Sequence, residues 1–218
     1  MPFLNPTYII AVLIAISVHE WAHAFTAWKL GDSTAKYQGR LTLNPIAHID
    51  PIGALMFLIV GFGWAKPVPV NPYAFKRLAC DTALVSIAGP LSNLVLAFLS
   101  FAILSLLQVQ VGSIYGLLSI SAGSPVLTII LQILGASLYV NLALMAFNLF
   151  PLAPLDGSKI VPLFLPDDWH FKYDEFMQYG QWILLFLVFG ESLLPFPILS
   201  AFVGGIMSGV LHLFEVAV

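Results

Sequence analysis

The sequence predicts an all-α polytopic membrane protein with about four to six transmembrane segments and a short cytoplasmic β-hairpin or re-entrant region. Three observations point there. The chain of 218 residues is 60% hydrophobic and only 9% charged, with a mean hydropathy of +0.95, far from the composition of a soluble globular domain. Residues 82–155 carry no charged side chain. The eight Lys and Arg fall into two clusters, Lys29, Lys36, Arg40, Lys66, Lys76 and Arg77 in the first and Lys159 and Lys172 in the second; short loops rich in Lys and Arg stay in the cytoplasm, so both clusters are expected there.

Residues 8–30 form the first expected span, opened by the uncharged run from Tyr8 to Val18. Met1-Pro2-Phe3-Leu4-Asn5-Pro6 has neither a basic stretch nor a small-residue cleavage site, so this segment is expected to be retained. Residues 31–81 read as the cytoplasmic strand and re-entrant region. Leu41-Thr42-Leu43 has the look of a short strand, and Val68 and Val70 alternate with prolines, a pattern suited to strand addition by an extended peptide. The apolar residues 51–65 are too few for a full crossing, and a crossing would put Lys66, Lys76 and Arg77 outside, so they read as re-entrant. Residues 82–107 and 126–150 form two spans joined by a polar turn through Gln108, Gln110, Gly112, Ser113, Gly123, Ser124 and Pro125. Residues 181–218 are apolar again, broken by Glu191, Pro195, Pro197 and Gly204-Gly205, and read as one span plus an interfacial helix or as two short spans.

There are no tandem repeats, and no loop reaches the ~50 residues of a minimal added domain, so residues 1–218 are expected to be a single membrane-embedded domain. A net charge of −3 without a basic run argues against nucleic acid as a partner, and the lone Cys80 excludes an internal disulfide.

His19-Glu20-Trp21-Ala22-His23 lies inside the first span. Helix residues four apart share a face, so His19 and His23 can offer two imidazoles to one metal while Glu20 reaches a water there. Ionisable groups at membrane depth are costly and are normally functional. A catalytic zinc takes three protein ligands and leaves a fourth position open, so a third ligand is required from His48, Asp50, Asp156, Asp174, Glu175, Glu191 or His212. Asp156 stands out, because it follows Pro151 and Pro154, which break an apolar helix, and precedes Gly157. Non-helical backbone near membrane depth is tolerated only where protein or a water-filled cavity shelters it.

Three separate motifs carry a family resemblance: His19-Glu20-Trp21-Ala22-His23, then Gly89-Pro90-Leu91-Ser92-Asn93, then Asn148 through Gly157 with its paired prolines and Leu-Asp-Gly. Gly39-Arg40-Leu41-Thr42-Leu43-Asn44-Pro45 and Lys66-Pro67-Val68-Pro69-Val70-Asn71-Pro72 add to it. Together they resemble the site-2 protease family of intramembrane zinc metallopeptidases, in its compact bacterial form without PDZ or nucleotide-sensing domains, over roughly residues 8–160. Ser158 stands where many relatives have a second glycine.

The resemblance implies one Zn2+ per chain held by His19, His23 and Asp156, with Glu20 as general base, Asn148 near the scissile carbonyl as oxyanion donor, and Asn93 in a substrate-facing or structural role. It further implies transmembrane protein substrates, cleavage within the bilayer, and residence in a bacterial inner membrane with the site toward the cytoplasm. A membrane metal transporter would use the same polar groups, but such proteins often show repeated halves with matching broken helices, and none is visible here. A proteolytically silent relative that binds membrane helices is disfavoured by the intact Glu20.

Overall fold

The computed structural model describes residues 2–217, and among them regular structure is entirely helical. Four helices are long and apolar enough to cross a membrane: α1 (Pro6–Lys29), α4 (Leu78–Leu106), α6 (Pro125–Asn148) and α10 (Ile198–Ala217). Between them lie the shorter α2 (Thr34–Tyr37), α3 (Pro51–Val60), α5 (Ile114–Leu118), α7 (Gly157–Ile160), α8 (Asp167–Met177) and α9 (Gly180–Gly190). This is a multi-pass membrane protein, at the lower end of the expected number of crossings.

Local chemistry sets the starts of the long helices. Asn5 accepts from the Thr7 N–H at 3.0 Å and Pro6 occupies the first turn of α1, where a missing N–H costs nothing. Ser124 and Pro125 repeat the device at α6, with Ser124 Oγ accepting from Leu127 N–H at 3.2 Å. Helix α6 stops at Asn148 because Pro151 and Pro154 follow and cannot continue the ladder.

Helices α1, α4 and α6 form the centre of the bundle. Ala11 and Ala15 of α1 meet Ala136 and Val140 of α6, and these small side chains let the two backbones approach closely, the usual means of association where apolar burial gives no net drive. Larger residues, among them Phe101, Leu104, Leu138, Leu142 and Phe214, knit α4, α6 and α10 together on the other side. Leu152 and Leu155, in the break after α6, pack against Leu184 and Leu187 of α9 and Leu199 of α10, which anchors the segment carrying Asp156.

The expected β-hairpin is absent. Among the described residues there is no strand, and a single antiparallel bridge, Ile49 to Ala65, is all the pairing the region makes. Backbone groups that a ladder would use are already committed. Pro67 and Pro69 have no N–H, the Arg40 guanidinium takes the Lys66 carbonyl, and the Val68 N–H donates to Glu20. Leu41-Thr42-Leu43, the other expected strand, is an irregular bend. The bridge still puts the two ends of residues 49–65 side by side. The segment's one helix, α3, has ten residues, too few to span a bilayer. After residue 180 the chain makes the short α9 and then α10, a candidate crossing.

Candidate metal centre

Two helices held in matched register build the centre. His19 and His23 lie four apart on α1, while Val85, Gly89 and Asn93 lie four and eight apart on α4. His19 Nδ1 is 2.6 Å from Asn93 Oδ1 and His23 Nδ1 is 2.7 Å from the Val85 carbonyl. Histidines one turn apart on α1 thus meet groups two turns apart on α4, in opposite direction. Gly89 sits between them with no side chain, and a Cβ there would fall 2.4 Å from His23 Nε2 and 2.7 Å from His19 Cε1. Only glycine admits both rings.

Asp156 arrives from the break after α6. Gly157 beside it lies against the Leu149 and Phe150 carbonyls, so close that a Cβ would fall 2.6 Å from the Phe150 oxygen. Asp156 Oδ2 comes within 3.3 Å of His19 Nε2 and 3.2 Å of His23 Nε2, and the two Nε2 atoms are 3.0 Å apart. All three side chains are buried, and Asp156 Oδ2 has no hydrogen-bond partner.

The protonation of the rings follows from their outer partners. A backbone carbonyl only accepts, so His23 Nδ1 carries the proton that meets Val85. A neutral His23 therefore turns a bare Nε2 lone pair toward Asp156. With both rings neutral, three buried acceptor atoms face one another at 3.0–3.3 Å, an arrangement that a bound cation relieves. Zinc bonds of about 2.0–2.1 Å in tetrahedral geometry put ligand atoms about 3.3–3.4 Å apart. The triangle fits zinc with shifts of a few tenths of an ångström.

Glu20, next to His19 and also buried, stays outside this triangle. Its Oε2 accepts from the Val68 N–H at 2.9 Å. A strap of chain from Lys66 to Asn71 therefore crosses over the carboxylate. Buried charges pin both ends: Arg40 donates to the Lys66 carbonyl, and Asp32 Oδ2 accepts from the Asn71 N–H at 2.7 Å. Burial pushes the Asp32 carboxyl up, but hydrogen bonds from Thr34 and Asn71 outweigh it and hold the group below its usual value. A lowered folded-state pKa stabilises fully above the unfolded value of ~3.9 and is lost as pH falls through the folded one. The strap is thus expected to loosen below about pH 4, seen as faster amide exchange at Asn71 after correction for intrinsic rates. Asp32→Asn is expected to loosen it already at neutral pH, at a cost of about 1–3 kcal/mol, and unchanged Asn71 exchange in that variant would exclude Asp32 as the tether.

Of the other expected site residues, Asn93 joins the centre through His19. Asn148 does not hydrogen-bond to it: its Nδ2 donates to the Leu144 carbonyl of its own helix at 2.9 Å, and it is half-buried. None of the rival third ligands joins the cluster, and three are employed elsewhere. His48 is fully buried with Nε2 on the Thr42 carbonyl, Asp50 caps α3 through the Ile52 and Gly53 N–H groups, and Glu191 accepts from the backbone at the start of α10. Asn141, Gly89 and the Val68 N–H are parts of the centre that motif reading missed. Asn141 had a signal: a side-chain amide inside an uncharged membrane helix, seven residues and so two turns before Asn148.

Residues 7–189 match Peptidase family M50. The chain is 42% identical over 200 residues to YwhC of Bacillus subtilis, whose name marks it as a candidate zinc metalloprotease, and the match covers 91% of this chain and 88% of YwhC. Rip2 of Mycobacterium tuberculosis, named in the same way, is 30% identical over 149 residues, or 66% of this chain and 52% of Rip2. MJ0611 of Methanocaldococcus jannaschii, again a candidate zinc metalloprotease by name, is 28% identical over 156 residues, or 70% of this chain and 68% of its own. No solved structure matches significantly. Because the family match runs from the start of α1 through Asp156 to the end of α9, it takes in every residue of the centre, and the chain belongs to Peptidase family M50, the site-2 protease family of zinc metalloproteases.

Proposed function

We propose that this protein is an intramembrane endopeptidase that cuts peptide bonds within transmembrane segments of other membrane proteins, using one zinc held by His19, His23 and Asp156. The observation that carries the reading is the convergence of three bare acceptor atoms beside the Glu20 carboxylate, on a membrane helix and about 15 Å from its Lys29 end at ~1.5 Å per residue. The basic residues Lys29, Lys36 and Arg40 follow that end and favour a cytoplasmic orientation in a bacterial inner membrane.

Zinc bound there supplies Lewis acidity, polarising a peptide carbonyl and making water acidic enough to lose a proton near neutral pH. Glu20 would act as general base, taking a proton from the water as its oxygen bonds to the carbonyl carbon and delivering that proton to the departing nitrogen as the C–N bond breaks. Its Oε2 is held by the Val68 N–H, which restrains the carboxylate. Asn148 spends one of its two Nδ2 hydrogens on Leu144, leaving the other for the developing oxyanion. A substrate helix hides its peptide bonds, so it must unwind to react. The strap's Pro67, Val68 and Pro69 carbonyls make no hydrogen bond among the described residues, and offer an extended substrate acceptors for its N–H groups.

Full-length protein in proteoliposomes, tested with a panel of single-span substrates, is expected to cleave within the apolar segment and to stop on addition of a zinc chelator. Asp156→Asn is expected to weaken zinc by more than the ~10–100-fold that loss of an outer hydrogen-bond partner costs. Cleavage that persists in chelator would overturn the zinc mechanism, and metal flux without cleavage would favour transport instead.

A further inference from the structure

A chain of buried amides runs away from the centre into the middle of the bundle. Asn93 on α4 and Asn141 on α6 are both fully buried, 0% exposed. Asn93 Nδ2 donates to the Ala15 carbonyl of α1 at 3.2 Å and to Asn141 Oδ1 at 2.7 Å. Asn141 Nδ2 donates to the Ser137 carbonyl at 2.8 Å and also lies 3.1 Å from Ser137 Oγ. His19 completes the chain on the other side, with Nδ1 at 2.6 Å from Asn93 Oδ1.

Each amide can in principle be turned end for end, exchanging donor for acceptor. Here the Ser137 carbonyl sets the direction of Asn141, and Asn141 sets that of Asn93. The Ser137 carbonyl accepts only, so Asn141 must turn its NH2 there and its oxygen toward Asn93. Asn141 Oδ1 at 2.7 Å then requires the Asn93 NH2, with the Ala15 carbonyl at 3.2 Å a weaker second acceptor, and the Asn93 oxygen is left facing His19. Against that oxygen, His19 Nδ1 must carry the proton, and its Nε2 lone pair is left for the pocket shared with His23 and Asp156.

We propose that Asn141 is a positioning residue for the metal centre: it touches no ligand, but sets the polarity of the Asn93 amide and through it the tautomer and orientation of His19. This rests on the zinc reading above. Without Asn141, the Asn93 NH2 has only the 3.2 Å bond to Ala15 to hold it, and a turned Asn93 would present donors to His19 Nδ1. His19 would then favour the Nε2–H form, which cannot bind a metal through that atom. A purely structural role, gluing α4 to α6, predicts a loss of stability with His19 unchanged.

The test has two parts. In zinc-loaded parent protein with 15N-labelled histidine, the imidazole shifts are expected to report coordination of His19 through Nε2 with Nδ1 protonated; coordination through Nδ1 would overturn the proposal without any variant. Asn141→Leu, similar in volume and without polar atoms, is expected to weaken zinc ~10–100-fold in competition with a chelating dye and to move the His19 resonances while leaving those of His23 in place. Asn141→Asp is expected to restore affinity to within a few-fold, because a buried carboxyl without a cation stays protonated and repeats the pattern, donating to Ser137 and accepting from Asn93. Parent affinity in Asn141→Leu, or equal weakening in both variants, would sink the assignment while leaving the zinc reading intact. Failure of the parent to bind zinc would sink the zinc reading itself. If Asn141→Leu does not fold, the parent 15N shifts and the Asn141→Asp affinity still decide.

Discussion

Glu20→Gln is expected to slow peptide cleavage by ~10²–10⁴-fold, the usual worth of a positioned general base, while the protein keeps its zinc. Both halves follow from geometry. The three atoms that converge for a metal belong to His19, His23 and Asp156, and Glu20 stands outside that group with its carboxylate accepting from Val68. Glutamine has the same shape and its carbonyl oxygen can still accept that N–H, so the strap should stay in place. The change removes only the ability to take a proton. Initial cleavage rates in proteoliposomes, with zinc content measured on the same sample, would check it. A variant that cleaves at the parent rate would remove Glu20 from the mechanism, and one that loses its zinc would place Glu20 among the ligands.

Gly89→Ala should be as damaging by an unrelated route. A single methyl at this position would sit 2.4 Å from His23 Nε2, 2.6 Å from His23 Cε1 and 2.7 Å from His19 Cε1. The rings cannot step aside freely, because Val85 and Asn93, one turn to either side of Gly89 on α4, hold their Nδ1 atoms. Either α4 moves away from α1, at the ~1–3 kcal/mol typical of overpacking, or the rings rotate and the metal triangle opens. Zinc affinity is expected to fall by at least the ~10–100-fold seen when an outer partner of a ligand is lost, and cleavage with it. A chelator competition assay gives the affinity, and thermal denaturation of the zinc-free protein separates the two routes. Parent-like zinc binding by Gly89→Ala would mean that the close approach of α4 is unimportant.

These two effects differ in how far they could be read from sequence. Glu20 stands between two histidines in a short local motif, and the helix period alone places all three side chains together. The Gly89 effect depends on which turn of α4 faces which turn of α1, which no local pattern encodes. Asp156 lies between these cases. Its prolines and glycine announced a break in a membrane helix, but from the residues alone six other acids and histidines were open alternatives, and the fold brings none of them to the cluster. At Asn148 the fold shows one Nδ2 hydrogen bonded to its own helix, a bond no sequence pattern specified.

The strap exposes a further limit of pattern reading. Val68 and Val70 between prolines looked like the edge of a strand, and irregular chain is what forms there. What prevents pairing is competition from Arg40 and Glu20 side chains, 26 and 48 residues away in sequence, which occupy the backbone groups a neighbouring strand would need.

By itself, the sequence determined the membrane class, the bounds of three long helices to within a few residues, and the chemistry of the H-E-x-x-H turn, because composition, uninterrupted apolar length and the helix period are local properties. Tertiary structure alone decided that Asp156 completes the triangle, that Gly89 must lack a side chain, and that Asn141 stands behind His19. Those outcomes depend on helix register and on the direction in which buried donors and acceptors point, and both are settled only when residues far apart in the chain share one desolvated interior.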